Sequence, residues 1–61
     1  MKVAFIGGGN MGEAMLSAIL RKGLSTPEAI SVSDVNQARR QHLTEQYGVY
    51  TTDSNLEALS R

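Results

Sequence analysis

The chain has 61 residues, with six acidic and six basic side chains and neither cysteine nor tryptophan. This balance gives no electrostatic footprint for a polyanionic partner, and the lack of cysteine removes any disulfide framework or cysteine-ligated metal site. A domain this short buries only about 60 % of the surface its unfolded chain exposes, so the chain describes at most one small, marginal domain.

At the N-terminus, Lys2 is followed by only four apolar residues, Val3 to Ile6. That run is too short for a signal-peptide core or a membrane span, so the expectation is a soluble, cytoplasmic protein. The run is uninterrupted rather than alternating, the pattern of a strand buried on both faces in a parallel sheet. After the glycines Gly7, Gly8, Gly9 and Gly12, the residues Met11, Ala14, Met15, Ala18 and Ile19 recur at helical spacing, with Leu16 and Leu20 widening the stripe. Asn10 and Glu13 form a capping-box-like start, and Arg21, Lys22 and Gly23 supply the stop, so a first helix is predicted from about Met11 to Lys22. On this reading Glu13 is a cap, and Met11 and Met15 are core side chains.

Thr26, Pro27 and Glu28 read as a capped single turn leading back to the sheet. A second strand through Ile30 and Val32 ends at Asp34, completing a βαβ unit whose strands are parallel. A second helix is predicted from about Asn36 to Tyr47, with Leu43 and Tyr47 as its only large apolar residues, and Gly48 ends it. Val49 to Thr51 reads as a short third strand, and Ser54 with Glu57 marks the start of a last helix. The fold class is therefore α/β, the N-terminal βαβα part of a Rossmann dinucleotide-binding domain. Two or three short strands offer little to pack against, so residues 1–61 read as the front portion of such a domain in a longer protein.

Gly7, Gly9 and Gly12 stand at the spacing G-x-G-x-x-G between a predicted strand and a predicted helix. In a dinucleotide-binding fold the first glycine permits the tight turn, the second lets the backbone approach a pyrophosphate, and the third lets the helix pack on the strand. The helix N-terminus behind them offers unpaired N–H groups to a diphosphate. A glycine turn without a ligand is the bland alternative. The acidic Asp34 at the end of the second strand, roughly ~20 residues further on, favours the ligand reading.

Asp34 itself has two roles open to it: accepting hydrogen bonds from the adenosine ribose, which would favour NAD, or capping the second helix. Arg39 and Arg40 fall in the first turns of that helix, where the dipole disfavours cations. They read either as ligands of a nearby anion, for which a ribose 2′-phosphate and hence NADP would serve, or as a solvated basic face. His42 has no second histidine or cysteine beside it and reads as a surface residue rather than a metal ligand. Tyr47 and Tyr50 read as packing residues. No nucleophile and base pair is visible, so no catalytic residue is assigned within this segment and no metal site is expected.

The stretches FIGGGNMGEAML, GLSTPEAI, SVSD and YGV together resemble the N-terminal segment of pyrroline-5-carboxylate reductases. The 3-hydroxyisobutyrate and 6-phosphogluconate dehydrogenases look similar at GNMG but usually reach the second strand more directly, through a Gly-His type turn. The resemblance implies NADPH- or NADH-dependent reduction of 1-pyrroline-5-carboxylate to L-proline by the full-length protein, with this segment binding the cofactor. It places Gly7, Gly9 and Gly12 on the diphosphate, with Asn10 and Met11 as backbone donors, and Asp34 with Asn36 near the adenosine ribose. The substrate site and the homo-oligomer contacts would belong to a C-terminal helical domain outside these residues. The alternatives are a β-hydroxyacid dehydrogenase of the 3-hydroxyisobutyrate dehydrogenase type and a non-catalytic nucleotide-binding module.

Overall fold

The computed structural model describes residues 2–7 and 10–61, the side chains of Asn10 and Met11 excepted. The three strands form one parallel sheet in the order β1–β2–β3, from Val3–Ile6, Ile30–Ser33 and Tyr50–Thr52. Helices α1, Asn10–Arg21, and α2, Gln37–Tyr47, connect them, and α3, Asn55–Ser60, follows the last strand. A single 3₁₀ turn, Pro27–Ala29, precedes β2, and the Thr26 side chain makes no capping bond to it.

Strand β2 is buried along its whole length. Its side chains alternate between faces, as any strand's must. Ile30 and Val32 join Leu16 of α1, Leu43 of α2 and Val49 in the buried apolar cluster, with Val3, Phe5, Ile19, Leu20 and Tyr47 packed around it. The opposite face carries the small residues Ser31 and Ser33, and α3 lies there: Ser33 Oγ donates to Asn55 Oδ1, and Ala58 is buried. Small side chains on that face let the short helix approach the sheet closely.

Three features depart from the sequence expectation. Strand β1 is half-buried rather than buried on both faces, with Ile6 48 % exposed. It is an edge of this sheet, and its Ala4 and Ile6 side lies away from the apolar cluster. The stripe of α1 is also rotated: Leu16 is buried while Met15 is 55 % exposed, so Met15 is not a core residue. The close approach of Gly12 to the turn after β1 sets this rotation, and the line one turn on from Gly12 runs through Leu16 and Leu20. Finally, β3 begins one residue later than expected, at Tyr50, although Val49 supplies the core side chain.

Helix boundaries follow local chemistry. At the end of α1 the Gly23 N–H binds the Leu20 carbonyl at 3.1 Å and the Leu24 N–H binds that of Ile19 at 3.0 Å, the paired bonds of a Schellman stop. Gly48 ends α2 in the left-handed region, φ +74°, its N–H on Thr44 O. Ser54 Oγ accepts from the Glu57 N–H at 3.2 Å, the expected cap of α3.

Leu43 is the only buried residue of α2, and the helix is otherwise strongly polar. Leu43→Ala is therefore expected to cost about 2–5 kcal/mol in urea denaturation of the polypeptide containing this chain. The exposed Gln46→Ala on the same helix should stay within about 0.5 kcal/mol.

Candidate functional site

The carboxyl ends of β1 and β2 lie side by side, because Ile6 pairs with Ser33. The ladder extends one residue beyond the strands, with the Gly7 N–H donating to Ser33 O at 2.8 Å. Gly7 then turns the chain with φ +78°, a conformation that L side chains rarely adopt. A Cβ added there would meet no protein atom within 4 Å, so its glycine is required by the dihedral angle and not by space. At Gly12 the reason is proximity: an added Cβ would sit 3.5 Å from the Gly7 carbonyl oxygen. A single methyl at that distance would make an ordinary van der Waals contact with the carbonyl. Gly9 lies outside the described residues, as do the side chains of Asn10 and Met11, so the proposed cap between Asn10 and Glu13 is outside them too.

Beyond β2, Asp34 is tied into the sheet by its N–H, which donates to Thr52 O at 3.0 Å. Its Oδ1 accepts the Asn36 N–H at 2.9 Å, and Asn36 Oδ1 in turn accepts the Arg39 N–H at 3.0 Å. The helix cap is thus Asn36, while Asp34 sets the turn that delivers it. Among the described residues Asp34 Oδ2 takes no hydrogen bond, which leaves a carboxylate acceptor at the end of the central strand.

Neither arginine lies on a solvated basic face. Arg40 Nη1 donates to the Asp34 carbonyl at 2.8 Å. Arg39 Nη2 stands 2.8 Å from Glu13 Oε1, so an anion does accompany this cation at the start of α2, and it is a carboxylate of the protein itself. Glu13 is accordingly more than a local cap. Its Oε2 accepts from the Tyr47 hydroxyl at 2.7 Å and lies 3.1 Å from His42 Nε2. The Tyr47 hydrogen bond first, then His42 and the Arg39 charge, hold the Glu13 carboxyl below the usual carboxylate range, and the same bond pushes the Tyr47 phenol up. Tyr47 therefore both packs against the core and orients a carboxylate. This cluster was not read from the sequence. Arg39 and His42 are one turn apart on α2 and Tyr47 is its last residue, but their acceptor lies on another helix.

Among the described residues there is no group of three or more metal-ligating side chains and no helix long and apolar enough to cross a membrane. The site has instead the parts that suit a dinucleotide: a glycine turn entering a helix, contact between Gly12 and that turn, and a carboxylate with an open acceptor at the end of the next strand. Fold and site together define a Rossmann-like dinucleotide-binding segment.

Residues 2–61 match the family described as NADP oxidoreductase coenzyme F420-dependent, and the chain belongs to that family. Its relatives include pyrroline-5-carboxylate reductases. That of Vibrio alginolyticus is 37 % identical over 57 residues, 93 % of this chain and 21 % of the relative. That of Pasteurella multocida (strain Pm70) is 43 % identical over 53 residues, 87 % of this chain and 18 % of the relative. The enzyme of Methanosarcina acetivorans is 35 % identical over 54 residues, 88 % and 20 % of the two chains. The chain spans about a fifth of the length of these curated relatives.

The direction of the Glu13 shift makes a prediction with a definite sign. The carboxylate's contribution to stability is complete above its unfolded value near ~4.3 and is lost as pH falls through the lower folded value. Tyr47→Phe keeps the ring in the core and removes the donor with the largest effect. The Glu13 carboxyl titration, followed by carbon-detected NMR, is expected to move up toward the ordinary value in that variant.

Proposed function

We propose that this segment binds the nicotinamide cofactor of a pyrroline-5-carboxylate reductase, which reduces 1-pyrroline-5-carboxylate to L-proline in the cytoplasm. The observation that carries the reading is the Gly7–Gly12 contact at the entry to α1, beside the Asp34 carboxylate at the end of β2. The names of the relatives supply the substrate. In this reading residues 1–61 are the N-terminal portion of an NAD(P)-binding domain. The substrate site and the contacts of a homo-oligomer belong to a further, helical domain.

Gly7, Gly9 and Gly12 would line the diphosphate, with the backbone N–H groups of Asn10 and Met11 as its donors. Asp34 would accept from the adenosine ribose, with Asn36 beside it and Arg39 in the first turn of α2, paired with Glu13. When bound, the dihydronicotinamide supplies a hydride for the C=N carbon of the substrate. The residues of this chain would hold and orient the cofactor.

The test is a spectrophotometric assay of cofactor oxidation by the full-length polypeptide with pyrroline-5-carboxylate and, in parallel, with a 3-hydroxyacid/3-oxoacid pair. Turnover with pyrroline-5-carboxylate alone is the expected result. Turnover only with the hydroxyacid pair, or cofactor binding without turnover of either, would replace the reading with a dehydrogenase or a binding module. Gly12→Val, which drives a branched side chain at the Gly7 carbonyl, should weaken binding of the reduced cofactor at least about tenfold, or roughly 1.4 kcal/mol. Quenching or enhancement of nicotinamide fluorescence reads that affinity directly.

A further inference from the structure

Asp34, Asn36, Arg39 and Glu13 are joined in sequence by hydrogen bonds and an ion pair. Asn36 N–H binds Asp34 Oδ1, Arg39 N–H binds Asn36 Oδ1, and Arg39 Nη2 meets Glu13 Oε1 at 2.8 Å. The chain of contacts starts at the strand end where the adenosine ribose binds in this fold. It ends on a carboxylate supplied by the other helix. From this arrangement we propose that Glu13 is a specificity-determining residue, which holds Arg39 off the ribose and makes the site select a cofactor with a free 2′-hydroxyl over one carrying a 2′-phosphate. The inference rests on the dinucleotide-binding reading above and deepens it.

The physical case lies in what a 2′-phosphate would need. A phosphate beside Asp34 needs a cation to offset the carboxylate, and guanidinium groups are the side chains whose fork matches it. Of the two arginines nearby, Arg40 donates to the Asp34 carbonyl, a main-chain group at the strand end. Arg39 is paired with Glu13, and its side chain is only 23 % exposed. The pair is not a loose surface contact, because the Tyr47 hydroxyl and His42 Nε2 hold the other oxygen of Glu13 in place. To serve a 2′-phosphate, Arg39 would have to leave a carboxylate that then faces the incoming anion. A ribose diol asks for none of this: it donates to Asp34 Oδ2, which is open. Discrimination here comes from a repulsive element as much as from an attractive one.

Glu13→Gln tests the proposal with little risk to the fold. The amide keeps the shape of the side chain and an oxygen for the Tyr47 hydroxyl, and loses the charge and the second acceptor oxygen that hold Arg39. In fluorescence titrations of the full-length polypeptide with NADH and with NADPH, the parent is expected to bind NADH more tightly. The variant should bind NADPH at least about tenfold better than the parent does, as removal of a like charge close to an anion requires, with NADH changed by less than about threefold. Adding Arg39→Ala to Glu13→Gln should abolish the gain for NADPH. An NADH-to-NADPH ratio that Glu13→Gln leaves unaltered, in a protein that binds both, would overturn the inference alone. Failure of the parent to bind either cofactor would overturn the proposed function and this inference with it.

Discussion

The structure depends on the burial of one four-residue strand. Ile30–Ser33 lies between β1 and β3 and is, among the described residues, the only strand enclosed along its whole length, and each helix finds its place by the kind of side chain that β2 presents. On one side Ile30 and Val32 draw in Leu16 and Leu43, so α1 and α2 come to share a face. On the other, Ser31 and Ser33 are small enough for α3 to settle near the backbone, with Asn55 bonded to Ser33. An apolar face attracts by area removed from water, whereas the polar one holds its helix by directed hydrogen bonds. The two faces of one strand therefore use different physics.

The same strand positions the site. Its carboxyl end carries Ser33, whose carbonyl receives the Gly7 N–H and so draws the glycine turn alongside, and then Asp34, whose carboxylate shapes the entry to α2. With α1 and α2 on one face, their N-terminal portions lie near each other, and Glu13 can reach Arg39, His42 and Tyr47. That cluster joins the two helices, and it fixes a negative charge one residue beyond the glycine motif. A cation in the first turn of α2 is unfavourable by the helix dipole alone. The partner on α1 offsets that cost, which is why the sequence tolerates Arg39 there.

The strand and helix order was legible because each element has a local signature: an apolar run, a helical repeat, a capping residue or a glycine stop. Gly23, Gly48 and Ser54 act within a few residues of themselves, and their roles could be read in place, whereas the cap of α2 was sought at Asp34 and falls to Asn36. The facing of α1 was not legible, since Met15 and Leu16 are equally apolar and only the approach of Gly12 to the turn decides which of them meets the sheet. Nor was the exposure of β1, whose composition suits burial on two sides while the described sheet covers it incompletely. The G-x-G-x-x-G spacing and Asp34 drew attention to the carboxyl ends of β1 and β2, but the work of Glu13 went unseen.

By itself, then, the sequence determined the βαβ order, the parallel sheet, the glycine turn at the entry to α1 and the identity of the acidic residue that ends β2. These follow from short-range rules of backbone conformation and side-chain period, which act over a few residues and are written there. Tertiary structure alone decided the rotation of α1, the division of β2 into an apolar and a polar face with different helices on each, and the pairing of Glu13 with Arg39. Each of these is a contact between residues far apart in the chain. Such contacts are chosen by which surfaces pack together once the sheet exists, and no local pattern encodes that choice.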